Sequence, residues 1–203
     1  MADIYTHLAI AKLYLENNPG RNEIKNVRDF YDGNCLPDMC EFIEKEQTHC
    51  GKRTEETDLV KRVREKVDLH KFLETTTPDT DINRGKFLHL YADWVYYNDE
   101  RVVEKIRHMD WAEYQKTLTY STGFFDDYIP QKYGVSLSLT SMEKDLSMWL
   151  AKWKARRSEK LGISGNSFGG KLLYNRTEHE AFIELIARAD LQLLAKRFRQ
   201  SPA

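Results

Sequence analysis

A chain of 203 residues is long enough for one domain with a sizeable hydrophobic core. Its 31 basic and 32 acidic side chains leave a net charge of −1, which excludes the bulk basic excess of a nonspecific nucleic-acid binder and gives no acidic block to solvate a disordered tail. With 41% hydrophobic and 12% aromatic residues but only 10 Gly and 5 Pro, the composition favours long helices around a core of large flat side chains.

No apolar run approaches the length of a membrane span. The opening M-A-D-I-Y-T-H has neither a charged n-region nor a long apolar h-region, so the expectation is no signal peptide and a cytoplasmic protein. Cys35, Cys40 and Cys50 are an odd set, which fits reduced thiols better than a disulfide framework.

Residues 4–15 place Ile4, Leu8, Ala11 and Leu15 on one helical stripe with His7 beside it, and Asn17-Asn18-Pro19-Gly20 ends that helix. Ile24, Val27, Phe30 and Tyr31 mark a second short amphipathic stretch. Residues 33–37 read as a loop, with Asp38 just inside the next helical start behind Pro37. Residues 54–74 read as one long amphipathic helix carrying Val60, Val63 and Val67, and His70 continues its stripe. A polar break over 75–81 precedes a segment in which every position from Phe87 to Val95 is apolar or aromatic except His89 and Asp93. Such a run predicts a helix buried on all sides.

Residues 99–120 read as helical in two pieces, with Asp110 as the N-cap before Trp111. Residues 123–138, with Pro130 and Gly134, read as looser. Thr140-Ser-Met-Glu143 and Thr177-Glu-His-Glu180 match the capping-box pattern and open helices over 141–157 and 178–198, with 161–170 as a flexible connection. No internal repeat and no strand pair emerges. The expectation is a single all-α domain over 1–203, with the site in residues 1–100 and the helices of 101–203 filling out the bundle.

His89 and Asp93, at i and i+4, project from the same face of their helix. A buried carboxylate is costly unless it is paired or bound to a metal. Zinc takes imidazole nitrogens and carboxylate oxygens, and Asp38 and His49 offer two more such donors from a neighbouring segment. An ion so held acidifies water to a nucleophile near neutral pH. Each residue also has a plainer role. His89 and Asp93 would make a hydrogen-bonded pair without metal. Asp38 would charge a helix start. His49 would be a surface histidine, and His7 a satisfied core histidine. His70 reads as core, with orientation of Asp38 or His49 as its functional alternative. His108 and His179 read as solvated helix ends.

Cys35, Cys40, His49 and Cys50 offer a different structural zinc site, but their spacing fits no C-x-x-C knuckle. Gly165 to Lys171 echoes a phosphate-binding loop, yet Leu172 stands where Ser or Thr is needed and no strand precedes it. Lys152, Lys154, Arg156, Arg157 and Lys160, interleaved with Trp149 and Trp153, read as a solvated helix face whose functional alternative is an anionic substrate or lipid surface.

The ordered pattern His7 … Gly33-x-x-x-Pro37-Asp38 … Thr48-His49 … Gly85-x-x-x-His89-x-x-x-Asp93 resembles the zinc-dependent phospholipase C family of all-helical metal hydrolases. Zinc-dependent single-strand nucleases and the N-terminal part of glycosylphosphatidylinositol-specific phospholipase D share that fold. The resemblance covers the first half of the chain and is nearest to the small intracellular bacterial branch. It implies a helical bundle of this type, with Asp38, His49, His89 and Asp93 holding one zinc, Asp93 as a bridging carboxylate and His7 as a ligand of a further metal. It also implies Asp38 as general base and a small phosphoester or phospholipid-like substrate. The chain departs from the family where His7 follows six residues without the N-terminal Trp, and where His108 and His179 are followed four residues on by Ala112 and Ile183 in place of Glu. Asp99 stands where the classical enzymes place a His. The expectation is therefore one zinc, or two with substituted ligands.

The leading expectation is a metal-dependent phosphoester hydrolase. A metal-stabilised helical binding module without catalysis is the alternative. An HD-type phosphohydrolase is disfavoured because the chain has no His-Asp dipeptide.

Overall fold

A computed structural model describes residues 3–39, 45–52, 56–161 and 172–200. Among these residues the chain is all-helical, and the only sheet-like pairing is an isolated antiparallel bridge between Cys50 and Val67. No helix there is long and apolar enough to cross a membrane.

Helix α1 (Ile4–Asn17) starts at Asp3, whose carboxylate accepts the Thr6 N–H at 2.9 Å. It buries His7 and Leu8 among its inward residues. Helix α2 (Val27–Cys35) carries Gly33 inside it, where a loop was expected, and passes into a tight turn over Leu36–Asp38. Glycine at this point serves packing. A Cβ on Gly33 would lie 2.0 Å from the Ile82 carbonyl oxygen, and one on Gly85 would lie 2.2 Å from that of Phe30. The two glycines let α2 and α6 (Asp81–Asn98) cross backbone to backbone, the closest-knit helix pair in the fold.

The long helix expected over 54–74 is broken. After the one-turn α3 (Lys45–Thr48), α4 (Leu59–Arg64) and α5 (Leu69–Thr75) are separate helices. Residues 65–68 leave the helix to pair with 49–52: the Lys52 N–H donates to the Glu65 carbonyl at 2.8 Å, and the Asp68 N–H to that of His49 at 3.2 Å. Asp68 then caps α5 through the Lys71 N–H. The stretch before this break, 53–55, lies outside the described residues.

The segment 99–120 divides as expected into α7 (Glu100–Ile106) and the start of α8 (Trp111–Tyr133), with Asp110 as the α8 N-cap. The looser region expected after 123 is instead helix, which runs through Pro130 and stops at Gly134, φ 58°, in the left-handed region. Helix α9 (Glu143–Leu161) follows. The capping box expected at Thr177–Glu180 lies two residues earlier. Asn175 and Glu178 form it, ahead of α10 (Arg176–Ala187), and α11 (Leu191–Gln200) is a separate helix because Asp190 caps it. The connection expected over 161–170 and the phosphate-loop echo up to Lys171 fall outside the described residues beyond the end of α9.

One continuous apolar cluster takes in residues from Ile4 to Ala195. Helix α6 runs through it with Phe87, Leu88, His89, Leu90, Ala92 and Asp93 buried, while Tyr91, Trp94 and Val95 are half-buried, so one side of the helix reaches the surface where burial all round was expected.

Candidate metal centre

Five side chains from four segments meet beside the α2–α6 crossing: His7 from α1, Asp38 from the tight turn, His49 just past α3, and His89 and Asp93 from α6. None is more than 4% exposed. His49 Nε2 lies 3.4 Å from Asp93 Oδ2 and 3.6 Å from Asp38 Oδ1. His7 Nε2 lies 3.5 Å from Asp93 Oδ1 and 4.0 Å from Asp38 Oδ2. His89 Nε2 lies 3.9 Å from Asp93 Oδ2, and its ring stacks on His7 at 3.7 Å. Asp93 thus turns one oxygen toward His7 and the other toward His49 and His89. Two triads, His7–Asp38–His89 and His49–His89–Asp93, each have ligating atoms within 4.8 Å of one another.

The ring tautomers follow from the surrounding acceptors. His89 Nδ1 is 2.8 Å from the Asn34 carbonyl oxygen. A carbonyl only accepts, so Nδ1 carries the proton and Nε2 keeps its lone pair. The Thr48 hydroxyl donates to the Pro37 carbonyl at 2.9 Å, and its oxygen is 3.0 Å from His49 Nδ1. When that proton goes to Pro37, the hydroxyl oxygen accepts from Nδ1–H, and the neutral tautomer of His49 turns an open Nε2 toward the cluster. The two Nε2 atoms face each other at 3.3 Å. Neither nitrogen of His7 has a hydrogen-bond partner among the described residues. For His49 and His89 the far ring nitrogen is thus held by an oxygen while the near one faces the cluster, an arrangement that would suit a bound ion.

The helix crossing builds this geometry. Asn34 sits in the last turn of α2, where carbonyls have no intrahelical partner, and the glycine contact brings its carbonyl to His89. The Asn34 side chain returns the link by donating to the Gly85 carbonyl at 3.1 Å.

Burial works against the Asp38 carboxylate, but the Lys45 ammonium 2.6 Å from Oδ1, together with His89 and His49, outweighs it and brings the group down to about 2. Burial also works against Asp93, and nearby positive charge, followed by N–H groups of His49 and His7, holds it well below the ordinary carboxylate range. Burial pushes His89 down to about 3, so the ring is neutral and able to ligate. The cluster therefore presents two carboxylates and three imidazoles, and oxygen and nitrogen donors of this kind are what a divalent cation takes.

Other candidates stand apart from it. His70 is half-buried and meets Phe198 edge-on at 5.3 Å. His108 is exposed, as expected. His179 is not a solvated helix end. It is 3% exposed, stacks on Phe125 at 3.8 Å and donates from Nε2 to Thr6 Oγ1 at 2.9 Å, because its face of α10 packs onto α1 and α8. Cys35 is buried with its thiol pushed up by that burial, Cys50 is half-buried, and Cys40 lies outside the described residues. On α9, Lys152 is exposed, while Lys154 pairs with Asp126 at 3.6 Å. The Arg157 and Lys160 side chains lie outside the described residues.

Sequence reasoning missed three contributors: the Asn34 carbonyl, Lys45 on Asp38, and Lys66 near Asp93. A backbone acceptor has no sequence signal, and lysines in a charged stretch read as solvated. Comparison of this chain with protein-family models, with curated proteins and with solved structures finds no match.

Proposed function

We propose that the chain is a divalent-metal-dependent hydrolase of phosphoesters, with zinc as its ion and a helical bundle of the phospholipase C and zinc-dependent nuclease type as its scaffold. One observation carries the reading: two Nε2 atoms face each other at 3.3 Å within a buried cluster that also holds Asp38 and Asp93. Two acceptors at that distance repel unless a cation or proton lies between them. His49, His89, Asp93 and Asp38 would hold the ion. His7, with the remaining oxygens of Asp93 and Asp38, would hold a second if one is taken up.

Bound there, the ion supplies Lewis acidity toward a phosphoryl oxygen and toward water. The chain's own groups do the rest. The Asn34 carbonyl and the Thr48 hydroxyl fix the two imidazoles. Asp38 would accept a proton from water only with Lys45 drawn off Oδ1, since beside that ammonium it is held at about 2. The proposed substrate is a small phosphoester or phospholipid-like molecule, met in the cytoplasm.

Metal analysis by mass spectrometry tests this reading, on protein purified without a His tag or chelator and beside the Asp93→Ala variant. The expected result is about one or two zinc ions per chain, lost in the variant. Wild type without metal after zinc reconstitution, or a variant with unchanged metal, sinks the assignment.

The near-complete burial of all five donors favours a second reading, a metal-stapled helical module without catalysis. If chelation unfolds the chain and the zinc-replete protein hydrolyses no phosphoester in a substrate screen, that reading replaces the first.

A further inference from the structure

Lys66 lies in the segment that pairs with 49–52, next to the Val67 partner of Cys50. Its Nζ sits among three aromatic rings, 5.4 Å from the Tyr97 centroid, 5.1 Å from that of Trp111 and 4.8 Å from that of Tyr114. Among the described residues the Nζ donates to the Tyr114 hydroxyl at 3.3 Å and forms no ion pair with a carboxylate. Tyr97 is the next rung of the α6 face that carries His89 and Asp93, about 6 Å beyond Asp93 along the helix. Lys66 thus meets α6 one turn past Asp93, and Asp93 and Lys45 are among the charges that act on it.

Its surroundings are short of negative charge. Burial, then Lys45, push Lys66 down to about 7, Asp93 counteracts this, and Arg62, stacked on Trp111 at 3.7 Å, adds to the push. At the cluster itself, the Asp38 carboxylate already pairs with the Lys45 ammonium. A dication held between Asp38 and Asp93 would add two more positive charges beside the ring cage of Lys66. A ring cage stabilises an ammonium by cation–π attraction but does not neutralise it. An anion that reaches both the ion and Lys66 would do so.

We propose that Lys66 is the anion-receiving residue of this site: seated by Tyr97, Trp111 and Tyr114, its ammonium binds a non-bridging oxygen of a phosphate dianion held at the metal centre, and so selects phosphomonoesters or inorganic phosphate over neutral esters. This rests on the proposed metal centre. Lys66 would act on substrate binding, and it holds no metal. A lysine that merely covers three rings would influence stability and leave anion affinity unchanged.

The test is titration of the zinc-loaded protein with inorganic phosphate, read by calorimetry and by the fluorescence of Trp111, for wild type, Lys66→Gln and Lys66→Arg. Zinc content is measured on each sample before phosphate is added. The expected result is equal zinc in all three, phosphate affinity weakened about ten- to hundredfold in Lys66→Gln, and recovery of most of it in Lys66→Arg. Wild type that holds zinc but binds no phosphate, or Lys66→Gln that binds it as wild type does, overturns the proposal and leaves the metal centre standing. A wild type that takes up no zinc fails at the metal measurement, and the proposal falls with it. Should Lys66→Gln lose its helical circular dichroism, wild type alone decides. Phosphate should then protect Lys66, and not the exposed Lys152, from acetylation mapped by peptide mass spectrometry; equal labelling of Lys66 with and without phosphate overturns the proposal.

Discussion

His49 and His89 point their Nε2 atoms at each other across 3.3 Å while each ties its Nδ1 to an oxygen behind it. The pair is ordered from outside, by α2 through the Asn34 carbonyl and by the turn after α3 through Thr48. Thr48→Val removes one of these ties while preserving shape. His49 is then free to rotate and to adopt either tautomer. Zinc affinity should fall about ten- to hundredfold with stoichiometry unchanged at saturation. Competition against a chromogenic chelator measures it, and an unchanged affinity would show that Thr48 does not orient His49.

The helical class and the His89–Asp93 face were legible because both live in local periodicity. An apolar run interrupted at i and i+4 tells which side chains share a face, whatever surrounds them. Residues 33–37 misled because Gly and Pro in one short stretch describe a turn equally well. The use of Gly33 is set by Ile82, some fifty residues away, and no local pattern records it. His179 misled for a related reason. Its neighbours Glu178 and Glu180 are polar, and only the packing of α10 on α1 and α8 shows that the ring faces inward. The break over 65–68 depends on the chain at 49–52, and with it the placement of Lys66.

The crossing of α2 and α6 gives a stability test that also reports on the site. Alanine at Gly85 would place a methyl carbon 2.2 Å from the Phe30 carbonyl oxygen and 2.8 Å from the Asn34 nitrogen, and backbone cannot step aside as a side chain would. Gly85→Ala should cost about 2–3 kcal/mol in urea denaturation of metal-free protein. It should also weaken zinc binding, because the helices separate at the residue whose carbonyl orients His89. A variant within about 0.5 kcal/mol of wild type would mean that the crossing has room the geometry denies.

Lys45 should have opposite effects on the empty and the loaded protein. Its ammonium, 21% exposed, is the largest of the neighbouring charges that overcome burial and bring the Asp38 carboxyl from 3.8 to about 2. A depressed carboxylate contributes stability that is present above the unfolded value and is lost as pH falls through the folded one, here between about pH 4 and 2. Lys45→Met should therefore lower metal-free stability at pH 7 by about 2 kcal/mol and flatten its fall in that acid window. The same change removes a positive charge from Asp38 Oδ1, so zinc affinity should rise about tenfold. Parallel urea and zinc titrations separate the two effects. A loss of zinc affinity would make Lys45 a support of the site and not a competitor.

His179 should make the fold acid-sensitive at higher pH than the carboxylates do. The Thr6 hydroxyl donates to Asp3 Oδ2 at 2.9 Å, so its oxygen accepts from His179 Nε2–H, and the ring is a neutral donor stacked on Phe125. Burial brings its proton affinity from the ordinary 6.5 down to about 3. Between those values the unfolded chain binds a proton that the native chain refuses. Stability is then fully present above about 6.5 and declines as pH falls toward 3, by up to about 1.4 kcal/mol per pH unit from this group. His179→Gln keeps an N–H donor for Thr6 but cannot be protonated. At pH 7.5 it should be about 1–2 kcal/mol less stable than wild type, from the lost ring stacking. By pH 5 that difference should shrink to nothing or reverse, since only wild type still loses stability through this residue. Urea midpoints at the two pH values decide it. A wild-type advantage that stays constant between them would mean that His179 accepts its proton without leaving the core.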